Sequence, residues 1–178
     1  MTRNWIAGKS RWILTLLLAA FALPMAAQDT SATVFLVRHA ERSGPAKEDP
    51  ITAAGQERAQ LLARMFGEAG ISKVIASEYR RTQESAAPLA KRLGVTVTVI
   101  AAGDTKALGQ AFAAMPDGSA AVAVRHSGEI ENLLEQLGAA SKIAKIEETE
   151  YDRLLILTFR SGKLAGFRTL RYGAAWKQ

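Results

Sequence analysis

The chain of 178 residues contains two histidines, and both stand in one tripeptide: Val37-Arg38-His39 and Val124-Arg125-His126. Each is followed by a small residue, Ala40 or Ser127. An imidazole can accept and pass on a group near neutral pH. A guanidinium beside it offers a planar fork for an anion's oxygens. A third basic element, Arg80-Arg81-Thr82, follows Ser77 where a helix is expected to begin. Cations are unfavourable at the positive end of a helix dipole. Arginines at that end therefore point to an anion bound between them and the helix N-terminus. With no cysteine in the chain, disulfides, thiol nucleophiles and thiolate metal sites are excluded. The two histidines and scattered carboxylates show no metal-ligand spacing such as His-Glu-x-x-His. Neither a metal nor another cofactor is expected.

The elements that would position these residues alternate in type. Short β-rich runs occur at Thr33–Val37, Lys73–Ala76, Val95–Ile100 and Ala120–Val124. Between and after them apolar residues recur at helical spacing, as in Ala86, Leu89, Ala90, Leu93, in Leu108, Ala111, Phe112, Met115, and in Ile130, Leu133, Leu134, Leu137. A further helix is expected from about Thr52 to Ala69. Arg153–Phe159 and Leu164–Arg171 flank a turn at Gly162 and read as a hairpin. The expected fold is α/β, a mostly parallel sheet sandwiched by helices with a C-terminal antiparallel hairpin at the edge. Ligands of such sheets bind outside the carboxyl ends of the strands. His39 and His126 both fall at that edge.

The first 27 residues read as a secretory signal rather than as part of this domain, which is expected over residues 28–178. Arg3, Lys9 and Arg11 precede a short apolar run, Trp12 to Leu23, then Pro24, Ala26 and Ala27. The run is shorter than the ~20 residues a bilayer requires, so stable membrane insertion is not expected after cleavage. An exported, periplasmic address follows; a leader retained as an anchor is the alternative. Without cysteine the chain cannot carry a lipoprotein lipid. The formal charge of +6 includes three basic residues of this leader. No basic cluster interleaved with aromatics suggests nucleic acid.

The blocks "FLVRHAE", "DPITAAGQERAQLLA", "IASEYRRTQESAAPLA" and "VAVRHSGEIENLL" together resemble the histidine phosphatase superfamily, the phosphoglycerate-mutase-like phosphatases. The Arg-His-Ala-Glu block is the most specific of them. The resemblance implies that His39 is a nucleophile that takes up a phosphoryl group as phosphohistidine. It implies that Arg38 and Arg81 bind the phosphate and that His126 is the second histidine of the pocket. The physical logic agrees, because an imidazole attacks only when neutral and nearby arginines disfavour its protonation. Glu41 is expected to orient the loop after His39. Ser77 either hydrogen-bonds a pocket residue or caps the following helix, and Arg42 either contacts substrate or is a solvated surface residue.

The resemblance places a proton-donating carboxylate after the third strand or after the second histidine. Asp104 is the candidate for that catalytic role, although it is equally a helix cap; Asp49, Glu129 and Glu131 are the others. Arg125 departs from the family, where a small residue commonly precedes the second histidine. Strand alternation points it away from His126. Turned inward, it would bind a second anionic group or obstruct the site.

The expected function is a metal-independent phosphatase acting on phosphomonoesters or a phosphorylated side chain. The substrate is expected to be a phosphorylated small molecule, a cell-envelope sugar phosphate or a phosphoprotein. A non-catalytic phosphate-binding module on the same fold and a phosphoglycerate-mutase-like phosphotransferase are the alternatives. The short chain lacks the insertions that would shield an intermediate from water, which favours hydrolysis.

Overall fold

The structure, a computed structural model, describes residues 31–140 and 143–176. The expected leader and the domain boundary at residue 28 lie outside the described residues. Strand β1 (Ala32–Arg38) buries Val34 and Leu36 on one face and Val37 on the other. A strand apolar on both faces must lie inside a sheet covered on both sides, and β1 does. The six-stranded sheet has the order β3-β2-β4-β1-β5-β6. Strands β2 (Ile71–Ala76), β3 (Val97–Val99) and β4 (Ala120–Arg125) join β1 in the parallel part. Strand β5 (Arg153–Arg160) pairs antiparallel with β1, and β6 (Lys163–Arg171) with β5. Ser161 and Gly162, with φ of 50° and 73°, make the tight turn between β5 and β6. The α/β sheet with its antiparallel edge hairpin is the architecture expected from the sequence.

Helices α1 (Ala53–Phe66) and α2 (Arg80–Leu93) contribute Leu62, Phe66, Ala86 and Leu89 to the core on one face. Helices α3 (Thr105–Ala113) and α4 (Ser127–Gln136) contribute Leu108, Phe112, Leu133 and Leu134 on the other. Two elements are shorter than their sequence patterns suggest. The run Val95–Ile100 yields only three strand residues, because the Val95 N–H turns back to the Ala90 carbonyl at 3.0 Å. Gly94, at φ 68°, ends α2 in the left-handed conformation that this closure requires. Helix α1 stops at Phe66, and the Ala69 N–H closes a turn on the Phe66 carbonyl at 3.2 Å.

The register between β1 and β4 matters most for the site. Val37 pairs with Val124 and Arg38 with Arg125, so the two Val-Arg-His tripeptides lie side by side. The His39 N–H continues the ladder, donating to the Arg125 carbonyl at 2.8 Å. Thr52 caps α1, accepting from the Gly55 N–H at 3.2 Å, while its own N–H donates to the Glu41 carbonyl at 2.8 Å. That contact presses the start of α1 against the loop after His39. A Cβ added at Gly55 would stand 2.5 Å from the Glu41 carbonyl oxygen and 2.9 Å from Ile51 Cβ. Both neighbours are tied into the loop, so neither can yield easily. Gly55→Ala is therefore expected to destabilise the fold by about 1–3 kcal/mol, although the same change in an unhindered helix is stabilising. Urea denaturation measures it, and a variant as stable as the parent would contradict the close packing.

Candidate active site

The carboxyl ends of β1, β2 and β4 converge on a cavity of about 480 Å³. Arg38, His39, Arg42, Arg81 and His126 line it, with Tyr79, Ala102, Gly103, the first turn of α4 and Glu148 around them. The two imidazole centroids are 5.3 Å apart. The topology explains why such distant residues meet: His39 and His126 leave adjacent parallel strands, and Arg81 stands in the first turn of the helix that follows β2.

His39 is buried, 2% exposed, and its tautomer is set by its neighbours. Nδ1 donates to the Ala40 carbonyl at 2.8 Å, which leaves the lone pair on Nε2. Arg81 Nε donates to that Nε2 at 3.2 Å. The other nitrogens of Arg81 reach His126 Nδ1 at 3.5 Å and the Ala46 carbonyl at 2.9 Å. His126 Nε2 donates to Ser77 Oγ at 2.9 Å, and Ser77 Oγ bonds Thr82 Oγ1 at 2.8 Å. Burial pushes both imidazoles down to about 3. The positive charges of Arg38 and Arg81 act in the same direction on each. Both histidines are thus neutral at physiological pH, as a nucleophilic imidazole must be. Burial also lowers the pKa of Arg81, followed by repulsion from Arg42 and Arg38.

Arg38 is 3% exposed and crosses to the segment before β5. Nη1 donates to the carbonyls of Glu147, Glu148 and Glu150 at 2.9, 2.7 and 3.2 Å. Its guanidinium lies 4.4 Å from the centre of the Tyr151 ring. Nη2 is 3.5 Å from Glu148 Oε2, while Arg42 pairs with Glu148 Oε1. Arg42 lines the cavity and is 22% exposed. Ser77 takes the first of its alternatives, bonding the pocket residue His126; it does not cap α2, whose N-cap is Tyr79, although its Oγ accepts from the Tyr79 N–H at 3.2 Å. Glu41 accepts from Arg58 Nε and Nη2 at 3.0 and 2.7 Å, anchoring the loop after His39 to α1.

Asp104 is not brought into the cavity. It is exposed, and its carboxylate accepts from the Ala107 N–H at 2.9 Å as the cap of α3. Three other carboxylates considered for proton donation are also engaged. Asp49 accepts from the Ala46 N–H at 2.6 Å, and Glu131 from the Ile146 N–H at 2.7 Å. Glu129 lines the cavity but is bound to Arg125, 3.0 Å from its Nε, and to the Gly103 N–H. Arg125 is fully buried and does not line the cavity. It donates to the Ile100 and Ala101 carbonyls at 2.6 and 3.0 Å, fastening the β3–α3 loop to the start of α4.

Sequence reasoning missed Tyr79, Tyr151 and Glu148. The Tyr79 ring lies 4.8 Å from the His126 ring and 4.5 Å from the Arg81 guanidinium. It precedes two arginines at a helix start, which could have marked it. Nothing in the spacing around Tyr151 or Glu148 could have done so. Among the described residues, no group of three or more histidines and carboxylates is placed to hold a metal ion. No described helix is long and apolar enough to cross a membrane.

Residues 34–102 match the model of the histidine phosphatase superfamily (branch 1). The matched stretch includes Arg38, His39, Arg42, Ser77 and Arg81 and stops short of His126. The protein named "Probable phosphoglycerate mutase GpmB" of Yersinia enterocolitica is 37% identical over 71 residues, 36% of this chain and 33% of that protein. The match thus spans about a third of that relative's length. The fold aligns with the protein histidine phosphatase SixA in complex with tungstate, at a TM-score of 0.63 and 18% identity. That alignment covers 78% of this chain and 96% of SixA. It also aligns with a mycobacterial glucosyl-3-phosphoglycerate phosphatase in complex with inorganic phosphate, at a TM-score of 0.55 and 14% identity, over 80% and 97% of the two chains. The sheet and its flanking helices are the histidine phosphatase fold.

Two predictions follow from the buried charges. Each histidine sits at about 3 when folded, against 6.5 in an ordinary setting. Below 6.5 the unfolded chain takes up protons that the folded chain refuses, so stability falls as pH drops through 6.5 toward 3. Between pH 7 and pH 5 the loss is expected to be about 2 kcal/mol per histidine. Urea denaturation across that range should show it, and the slope should flatten in His126→Gln. Equal stability at pH 7 and pH 5 would refute the neutral buried pair. Arg125→Met strands the Glu129 carboxylate and should cost about 3–5 kcal/mol. Arg125→Met combined with Glu129→Gln should recover part of that loss; no recovery would show that the ion pair is not what Arg125 contributes.

Proposed function

We propose that this chain, a member of the histidine phosphatase superfamily, is a metal-independent phosphatase that acts on phosphomonoesters or a phosphorylated side chain through a phosphohistidine. The observation that carries the reading is the fixed tautomer of His39. With Nδ1–H given to the Ala40 carbonyl, a neutral Nε2 lone pair faces a cavity that Arg38, Arg42 and Arg81 make positive. Attack by Nε2 forms an N–P bond as the bond from phosphorus to the leaving group breaks, P–O in a phosphomonoester and P–N in a phosphorylated histidine. Water then attacks phosphorus, the N–P bond breaks, and inorganic phosphate departs with the lone pair restored to Nε2. Splitting one displacement into two lowers each barrier. The arginine forks stabilise charge on the equatorial oxygens throughout.

Protonation of the leaving group shapes the substrate range. Asp104, Asp49 and Glu131 are held elsewhere, and the Glu129 carboxylate is held by Arg125. A leaving group of low basicity departs without strong general-acid help. This favours substrates such as a phosphorylated histidine or an aryl phosphate over simple alkyl phosphates. The fold shared with a protein histidine phosphatase supports the phosphorylated histidine, while the fold shared with a glucosyl-3-phosphoglycerate phosphatase makes an alkyl phosphate the competing class. The basic and apolar pattern of residues 1–27 supports an exported site of action, where cell-envelope sugar phosphates and phosphoproteins are the candidates.

Purified protein is expected to hydrolyse p-nitrophenyl phosphate in the presence of EDTA and to lose about a thousandfold in kcat/KM on His39→Ala. Quenching in alkali, during turnover of radiolabelled substrate, is expected to trap an alkali-stable, acid-labile phosphoenzyme. The rate should drop steeply from aryl to alkyl phosphates. Binding of phosphate without turnover between pH 4 and pH 8 would reduce the chain to a phosphate-binding module. Transfer to an added alcohol that outruns release to water would make it a phosphotransferase.

A further inference from the structure

We propose that Glu148 is an internal counter-anion of the phosphate pocket, a side chain that an incoming phosphoryl group must displace. The proposal rests on the phosphatase reading and names a residue that governs which anions the pocket admits. Both oxygens of the Glu148 carboxylate face cavity arginines. Oε1 is paired with Arg42, and Oε2 lies 3.5 Å from Arg38 Nη2. These are two of the three guanidinium groups lining the cavity. A carboxylate carries the same sign and the same oxygen spacing as one edge of a phosphate, so it occupies a site suited to one.

The backbone and the side chain of Glu148 are held very differently. Arg38 Nη1 pins the carbonyls of Glu147, Glu148 and Glu150. The Ile146 N–H is tied to Glu131, and the Glu147 N–H donates to Glu150 Oε2 at 3.3 Å. The Glu150 carboxylate is itself clamped by Arg153 and Arg171. The Glu148 side chain is nevertheless 66% exposed, against 3% for Arg38 and 22% for Arg42. A fixed backbone with an exposed carboxylate lets that one side chain rotate to solvent while the arginines stay in place. Arg38 is not fully satisfied by the arrangement, because its buried Nε has no hydrogen-bond partner.

The exchange has a consequence for both ends of the reaction. Monoanions compete with Glu148 on nearly equal terms, whereas a phosphate dianion brings more charge to the same arginines. Occupancy by solution anions is thereby suppressed relative to dianionic monoesters. When inorganic phosphate is the ligand, the returning carboxylate competes with it and speeds its departure.

Isothermal titration of the purified full-length protein with inorganic phosphate at pH 7.5 tests this without relying on turnover. Glu148→Gln and Glu148→Ala are each expected to bind phosphate about fivefold more tightly than the parent, the scale set by loss of a partly exposed ion pair. The same variants should tighten acetate binding by at least as large a factor, narrowing the preference for the dianion. Glu68→Gln, whose carboxylate pairs with Arg92 away from the cavity, should bind as the parent does. Unchanged or weaker phosphate binding in both Glu148 variants overturns the proposal while leaving the phosphatase reading intact. Weaker binding would mean that Glu148 holds the arginines in place. If the parent itself binds no phosphate, both readings fall together. Melting temperatures within about 3 °C of the parent's confirm that the comparison is between folded proteins.

Discussion

A single guanidinium holds the site together. Arg81 donates to Nε2 of His39 and reaches Nδ1 of His126, and its third nitrogen reaches the Ala46 carbonyl. Such bonds are possible only if both imidazoles are neutral, since a protonated ring has no lone pair to offer. Burial supplies that neutrality, and the surrounding positive charge reinforces it. The rest of the fold satisfies the geometric demand this makes. Parallel pairing of β1 and β4 brings the histidines together, and β2 delivers Ser77 and the start of α2 to the same edge. The Ser77–Thr82 pair then fixes the His126 tautomer from behind.

The repeated tripeptide has two different outcomes. Arg38 and Arg125 are register partners in parallel strands, so both side chains leave on the same face of the sheet. What differs is the chain that each one meets. Arg38 lies beside β5 and meets the segment before it, which offers three carbonyls and Glu148 at the cavity wall. Arg125 faces β3 and α4, where Glu129 and two carbonyls enclose it completely. One arginine is left able to serve a ligand, while the other is consumed in fastening the loop across the pocket from His39. The same residue type thus stands once at the cavity wall and once in the scaffold, and neighbours distant in sequence decide which.

This division marks what the sequence could convey. Strand alternation, helical spacing and the placement of both histidines at strand ends are local properties, and they located His39, His126, Arg38 and Arg81 correctly at one edge. Alternation does not separate Arg125 from Arg38; Glu129 and the Ile100 and Ala101 carbonyls keep Arg125 out of the cavity. The shortened β3 was not legible, because the Gly94 cap competes for Val95 and propensity alone favours strand there. Nor was the position of Asp104: a carboxylate before a helix fits a cap and an acid equally well, and only the orientation of α3 decides between them. Glu148 and Tyr151 lie in a segment with neither helical nor strand period. Their arrival at the pocket depends on β5 pairing antiparallel with β1, a long-range contact that no window of sequence contains.

Seen energetically, the pocket is a closed set of exchanges rather than an open receptacle. Every guanidinium that would grip a phosphate already has partners: the imidazoles for Arg81, backbone carbonyls for Arg38, and Glu148 for Arg38 and Arg42. Buried charges without partners are far more costly than the pairs themselves are worth, so a positive pocket must carry its own acceptors when no ligand is bound. The acceptors differ in how readily they can be given up. The carbonyls on Arg38 belong to a clamped backbone and remain in place, which keeps that guanidinium oriented. The Arg81 bond to Nε2 must yield before Nε2 can attack, because the same lone pair cannot both accept a hydrogen bond and form a bond to phosphorus. Phosphate oxygens offer Arg81 a stronger, charge-assisted replacement. In the proposed reaction, ligand binding thereby frees Nε2, and the hydrogen bond that restrains it is broken by the group it is to attack.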